Sequence, residues 1–153
     1  MKIVIIDGQG GRMGSLLIEK LKASALFTEA SGKPGENITL LAIGTNSIAT
    51  AAMLRAGADA GATGENPVLV NCRDADIIAG PIGILAADSL LGEITPAMAA
   101  AIGQSRAEKV LLPVNKCCHH VVGVRDLPLQ ELIAEAADMI VRLYREHDCK
   151  AFH

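Results

Sequence analysis

The sequence is poor in aromatic residues: its 153 residues include one tyrosine, two phenylalanines and no tryptophan. It also lacks any run of lysine and arginine, and basic residues do not alternate with aromatic ones, which argues against a nucleic-acid-binding groove. The apolar run near the start, residues 3–6, is too short for a signal peptide, and no later segment approaches the length of a membrane span. We therefore expect a cytoplasmic protein without a membrane or nucleic-acid partner.

Aliphatic residues, by contrast, are abundant enough to form a hydrophobic core. Half of the residues are hydrophobic and the formal net charge is only -3, so the core must be built from Ile, Leu, Val, Ala and Met. This composition is typical of a buried parallel sheet covered by helices. The length suits one domain. Four cysteines, two of them adjacent, do not form a disulfide framework, and free thiols are expected in a reducing compartment.

Hydrophobic periodicity predicts strands at residues 2–6, 38–43, 58–62, 76–79 and 109–112, separated by helices at 13–21, 48–56, 84–91 and 96–104. Residues 67–73 are ambiguous, but Asn66 as N-cap and Pro67 at the first helical position favour a short helix. Residues 120–124 alternate and follow the preceding strand closely, which predicts an antiparallel edge hairpin. A long helix starts near Leu129.

The predicted fold is therefore α/β: a Rossmann-like, doubly wound, mostly parallel sheet with an antiparallel edge hairpin and a C-terminal helix. Residues 1–146 form one domain in this prediction, and residues 147–153 form a loose tail.

The first strand ends directly in a glycine loop that opens a helix. Such a loop places free backbone N–H groups and the positive end of the helix dipole at one point, where a phosphate can bind. The spacing is GxxGxxG, with one further glycine, rather than the usual GxGxxG of dinucleotide-binding proteins. The predicted binding residues of this loop are Gly8, Gln9, Gly10, Gly11, Arg12, Met13 and Gly14. Its GGRMG segment resembles the loop of dihydrodipicolinate reductases, which implies a nicotinamide cofactor.

The second strand lacks the terminal acid that normally binds the ribose hydroxyls of a dinucleotide. Thr45, Asn46 and Ser47 stand there instead, and they either cap the next helix or also bind a phosphate or an amide. Asp7 precedes the glycines and adds a negative charge where a polyphosphate would lie. It turns away, binds a metal together with the ligand, or indicates a less charged ligand.

Three further loops follow predicted strands, at residues 61–66, 80–83 and 113–116. Ligands of doubly wound sheets bind along this edge, so we predict binding roles for Asn66, Gly80, Pro81, Asn115 and Lys116.

Cys117, Cys118, His119 and His120 offer the right atoms for zinc, but neighbours on an extended segment point to opposite faces, so we predict no metal site. No catalytic motif is present. Glu93 is as consistent with a solvated loop acid as with a base, and Cys117 beside Lys116 has no evident base. Whether the protein is an enzyme stays open.

The chain as a whole resembles domain-of-unknown-function family 3842, a group of short bacterial proteins. The resemblance rests on DGQGG at 7–11, GTNSIAT at 44–50, GATGEN at 61–66, ADIIAGPIGI at 75–84, GEITPAM at 92–98 and PVNKC at 113–117. It implies a fold shared over nearly the full length but no particular reaction.

Three functions are compatible with these features. The favoured one is binding of a nucleotide or another phosphorylated metabolite at the first glycine loop. The second is an NAD(P)-dependent oxidoreductase, which GGRMG favours and the absent ribose acid disfavours. The third is a non-catalytic module that forms a homo-oligomer through its apolar helices.

Overall fold

A computed structural model describes residues 1–30, 37–114 and 119–151, with side chains for all of these except 29–30 and 148–151. Five strands form one sheet in the order β3-β2-β1-β4-β5: β1 (Lys2–Asp7), β2 (Thr39–Gly44), β3 (Ala60–Thr63), β4 (Ile77–Pro81) and β5 (Glu108–Leu112). The helices are α1 (Arg12–Lys22), α2 (Ala25–Ala30), α3 (Ser47–Arg55), α4 (Glu65–Asn71), α5 (Pro96–Gln104) and α6 (Leu129–Ala151).

The central strand β1 is buried along almost its whole length, and its alternate side chains enter two different cores. Ile3 and Ile5 pack with α1, α3 and α6, whereas Val4 and Ile6 pack with α4 and α5. Helices therefore cover both faces, which explains why the strands are continuous apolar runs. The α/β class and this layer order are as expected for a Rossmann-like protein.

Every strand pairing in the described part of the chain is parallel, so the predicted antiparallel hairpin is wrong. Residues 119–126 form turns and irregular backbone rather than a strand. Alternation in 120–124 had suggested one buried face, but Val121, Val122 and Val124 are all exposed. A strand pattern without a buried face has nothing to fix it against the sheet.

Two helix predictions also need correction. The segment at 84–91 is not a helix: a short 3-10 helix at Ile82–Leu85 is followed by turns, and Asp88, Leu90 and Leu91 adopt left-handed backbone. The predicted helix after β3 exists, but it begins at Glu65 and its N-cap is Gly64, with φ 98°, instead of Asn66. Glycine accepts that φ without strain. Helix α6 continues past the predicted end near residue 146 to Ala151.

Within the described ranges, no helix is both long enough and apolar enough to cross a membrane.

Candidate functional site

The glycine loop, residues 8–11, connects β1 to α1 as predicted. Gly11 has φ 68° and donates its N–H to the carbonyl of Gly8 at 2.9 Å. A Cβ on Gly11 would lie 2.7 Å from the backbone of Ala49, and one on Gly14 would lie 2.5 Å from Sδ of Met53. These two glycines therefore let the loop and α1 pack closely against α3.

Asp7 lies inside this loop and is only 4% exposed. Its Oδ1 accepts the N–H of Gly8 at 2.8 Å and its Oδ2 accepts the N–H of Gly14 at 2.7 Å. Burial raises the pKa of Asp7 above its ordinary 3.8, against the opposing effect of these backbone hydrogen bonds, and the nearby charge of Glu93 raises the pKa further. Asp7 thus points into the protein and occupies two N–H groups at the glycine loop.

Glu93 is hydrogen-bonded to the glycine loop and to the residues after β2. Its Oε2 accepts the N–H of Gln9 at 2.8 Å and the hydroxyl of Thr45, and the amide of Asn46 lies 3.3 Å from both carboxylate oxygens. Burial raises the pKa of Glu93, but these hydrogen bonds outweigh it and the net pKa is lowered. A charged carboxylate is therefore already bound to the glycine loop.

Two backbone N–H groups, one in the glycine loop and one at the first residue of α1, are left for a ligand. In the described part of the chain, the N–H groups of Gly10 and Arg12 have no hydrogen-bond partner. Gly10 is exposed, with no atom within 4 Å of the position of a Cβ. The Arg12 side chain is exposed as well, and it makes no hydrogen bond or ion pair to any described residue. The outer surface of the loop thus offers two N–H donors and one guanidinium.

The predicted residues after β2 lie beside this loop. The Asn46 side chain caps α3 by accepting the N–H of Ala49 at 2.9 Å, and it also donates to the carbonyl of Gln9 at 2.9 Å. Thr45 reaches Glu93, and Ser47 is exposed at the start of α3. The capping interpretation is therefore confirmed for Asn46.

Other predicted residues do not reach the loop surface. Met13 is buried in the core, and Asn66 is exposed on α4. Gly80 and Pro81 are buried at the end of β4, where a Cβ on Gly80 would collide with the carbonyl oxygen of Ile6. Gly80 thus serves close strand packing. Asn115 and Lys116 lie outside the described residues.

Cys117 and Cys118, two of the residues weighed as zinc ligands, also lie outside the described residues. Among the residues that are described, no group of three His, Cys, Asp or Glu side chains is placed to hold a metal ion. Cys72 is buried, and desolvation raises the pKa of its thiol to about 11.

A cavity of about 420 Å³ lies at the carboxyl ends of β4 and β5. Aliphatic side chains from these strand ends and from α6 line one part: Ile82, Val114, Leu129 and Leu132. Residues 119–121 and 124–127 line the rest, and they include His119, His120, Arg125 and Asp126. Arg125 is held by Glu135 at 2.7 Å. The volume falls in the range of about 300–1,000 Å³ that small-molecule sites occupy.

The cavity and the glycine loop share the same edge of the sheet. The loop follows β1, the cavity begins after β4, and these two strands are neighbours. Adjacent strands lie about 5 Å apart. The strand order also reverses between β1 and β4, and ligands of open parallel sheets bind in the crevice at that reversal.

Family comparison agrees with the resemblance noted in the sequence. The model of the family described as "Domain of unknown function (DUF3842)" matches residues 2–145. The chain belongs to this family. No curated protein and no solved structure matches it significantly. The DUF3842 assignment covers the whole sheet, the glycine loop and the cavity together.

Sequence reasoning missed the central contact of this site. From the sequence, Glu93 is as consistent with a solvated loop acid as with a base, yet it contacts Gln9, 84 positions earlier in the chain. No local pattern marks such a contact. The pair of Thr45 and Asn46 at the end of β2 was the available signal, because their hydroxyl and amide groups require partners.

Proposed function

We propose that this chain binds a small phosphorylated metabolite at the carboxyl edge of its sheet. The cavity at the ends of β4 and β5 carries the proposal, because it has the volume of a small-molecule site and lies at the same sheet edge as the glycine loop, which follows the neighbouring strand β1. The metabolite's body occupies the cavity, and its phosphate lies at the outer surface of the loop.

The chemistry of the lining supports this orientation. The walls from Ile82, Val114 and Leu132 favour the less polar part of a ligand, because burial of apolar surface is the main driving force for binding there. The free N–H groups of Gly10 and Arg12 and the Arg12 guanidinium favour a phosphate, since charge-assisted hydrogen bonds to an anion are the stronger ones.

The same geometry argues against a dinucleotide held in the usual way. A pyrophosphate needs most of the N–H groups of its loop, and here carboxylates of Asp7 and Glu93 take those of Gly8, Gln9 and Gly14. One phosphate group fits the remaining donors better than two. NAD(P) is therefore the second candidate, and the test includes it.

Thermal unfolding with a panel of sugar phosphates, nucleotides, NAD(H) and NADP(H) tests the proposal. A ligand at 100 times its Kd stabilises the folded state by about 2.7 kcal/mol. We expect one phosphorylated compound to raise the Tm, and its unphosphorylated form to have no effect at the same concentration.

A matched pair of variants locates the ligand. Val124 lines the cavity, whereas the nearby Val122 is 99% exposed and does not. Val124→Trp should abolish the stabilisation by filling the cavity, and Val122→Trp should retain it. Equal stabilisation of both variants, or none of the wild type by any phosphorylated compound, would contradict the proposal.

A further inference from the structure

Glu93 belongs to a segment that covers the glycine loop. This cover segment, residues 86–93, connects the 3-10 helix to Ile94 and α5. Leu90 is buried and lies against Gly8, where a Cβ would be 3.0 Å from its Cδ1. The same Cβ would be 2.5 Å from Oε2 of Glu93. A side chain at position 8 is thus incompatible with the closed cover segment.

The Glu93 carboxylate accepts hydrogen bonds at the glycine loop in the way that a bound anionic ligand would. One carboxylate oxygen accepts a backbone N–H, from Gln9, together with the hydroxyl of Thr45. No lysine or arginine in the described part of the chain pairs with Glu93. Glu93 therefore occupies a loop donor and brings an uncompensated negative charge to the place where the proposed phosphate binds.

The backbone of the cover segment also works against the closed arrangement. Asp88, Leu90 and Leu91 have φ values of 64°, 54° and 59°, and left-handed backbone is unfavourable for leucine. Leu91 gains no burial in return, because it is 94% exposed. Contacts elsewhere in the segment must hold this conformation, and the Glu93 bonds are among them.

We propose that Glu93 is an autoinhibitory ligand of the glycine loop, which the phosphate of the incoming metabolite must displace. The inference rests on the proposed function. Displacement frees the N–H of Gln9 as a third backbone donor for the phosphate, beside those of Gly10 and Arg12, and removes the repulsion between Glu93 and the ligand.

The test measures the affinity for inorganic phosphate, at constant ionic strength set with sodium chloride. Glu93→Gln removes the charge while keeping an acceptor, and we expect it to bind inorganic phosphate about tenfold more tightly than the wild type. Glu65→Gln is the matched control, because Glu65 is an acid at the same sheet edge that bonds to Thr95 and not to the loop. It should bind as the wild type does.

If the wild type and both variants bind inorganic phosphate equally, the autoinhibitory role is wrong and the proposed function stands. If neither the wild type nor Glu93→Gln binds any phosphate compound, the proposed function fails and this inference fails with it.

A second measurement covers the case in which Glu93→Gln does not fold. In the wild type, the amide resonances of Gln9 and of the cover segment should shift on saturation with inorganic phosphate, because Glu93 leaves the loop. Saturation that leaves these resonances unchanged would overturn the inference.

Discussion

Replacement of Gly8 by alanine tests the closed arrangement of the loop most simply. The added Cβ would lie 2.5 Å from Oε2 of Glu93, 2.8 Å from the Thr45 hydroxyl and 3.0 Å from Cδ1 of Leu90. The Glu93 carboxylate can move, but its movement breaks its bond to Gln9, while the packed Leu90 side chain cannot easily yield. Overpacking of this kind costs about 1–3 kcal/mol.

For a chain of this length, each kcal/mol lowers the Tm by about 2–4 °C, so Gly8→Ala should lower it by about 2–12 °C. Gly10→Ala is the control, because Gly10 is in the same loop and no atom lies within 4 Å of its Cβ position. Its free energy of unfolding should stay within about 0.5 kcal/mol of the wild type. Thermal and urea unfolding measure both variants. Equal stability of the two would refute the described contact between Gly8, Glu93 and Leu90.

Other predictions concern the core and the titrating groups. Ile18→Ala should lower the free energy of unfolding by about 2–5 kcal/mol in urea titrations, because Ile18 is fully buried. Ile48 is 68% exposed, so Ile48→Ala should change the free energy of unfolding by under about 0.5 kcal/mol. Similar losses in the two variants would contradict the burial of Ile18. Folding raises the pKa of Asp7, so protonated Asp7 favours the folded state. This contribution to the free energy of unfolding is present below pH 3.8 and is lost as the pH rises through the folded pKa. Wild-type stability should thus fall relative to Asp7→Asn over that interval, and parallel pH profiles would refute the shift. Cys72 is 2% exposed and the pKa of its thiol is about 11. At pH 8 this thiol should therefore react with iodoacetamide much more slowly in the native protein than in urea, as followed by mass spectrometry of the peptide that contains Cys72. Equal rates would contradict the burial of Cys72.

The parts of the fold that were predictable are those set by local chemistry. Thr95 before Pro96 is the pattern of an N-cap followed by proline at the first helical position, and α5 begins there, with the Thr95 hydroxyl accepting the N–H of Met98 at 3.1 Å. The apolar run at 2–6 predicted the central strand, because a strand buried on both faces must be continuous. The glycine loop was also predictable, because only glycine fits the turn at Gly11 and the close contacts of Gly11 and Gly14 with α3.

The parts that were not predictable depend on contacts between distant residues. Val121 and Val124 have strand composition, but no strand among the described residues pairs with them, so their alternation does not correspond to a strand. A helix is expected over 84–91, yet Leu90 is buried against Gly8, and both Leu90 and Leu91 have left-handed backbone. The role of Glu93 depends on the same contact across the sheet edge, and no local pattern encodes it.

Chemical-shift mapping with the most stabilising phosphorylated compound shows whether one ligand spans the cavity and the glycine loop. We expect the amide resonances of Ile82, Val114 and Arg125 at the cavity, and of Gly10 and Arg12 at the glycine loop, to shift together with one Kd. Lys2, at the opposite edge of the sheet, should not shift. Shifts confined to other surfaces, or shifts at the loop without any at the cavity, would contradict a ligand that spans the two.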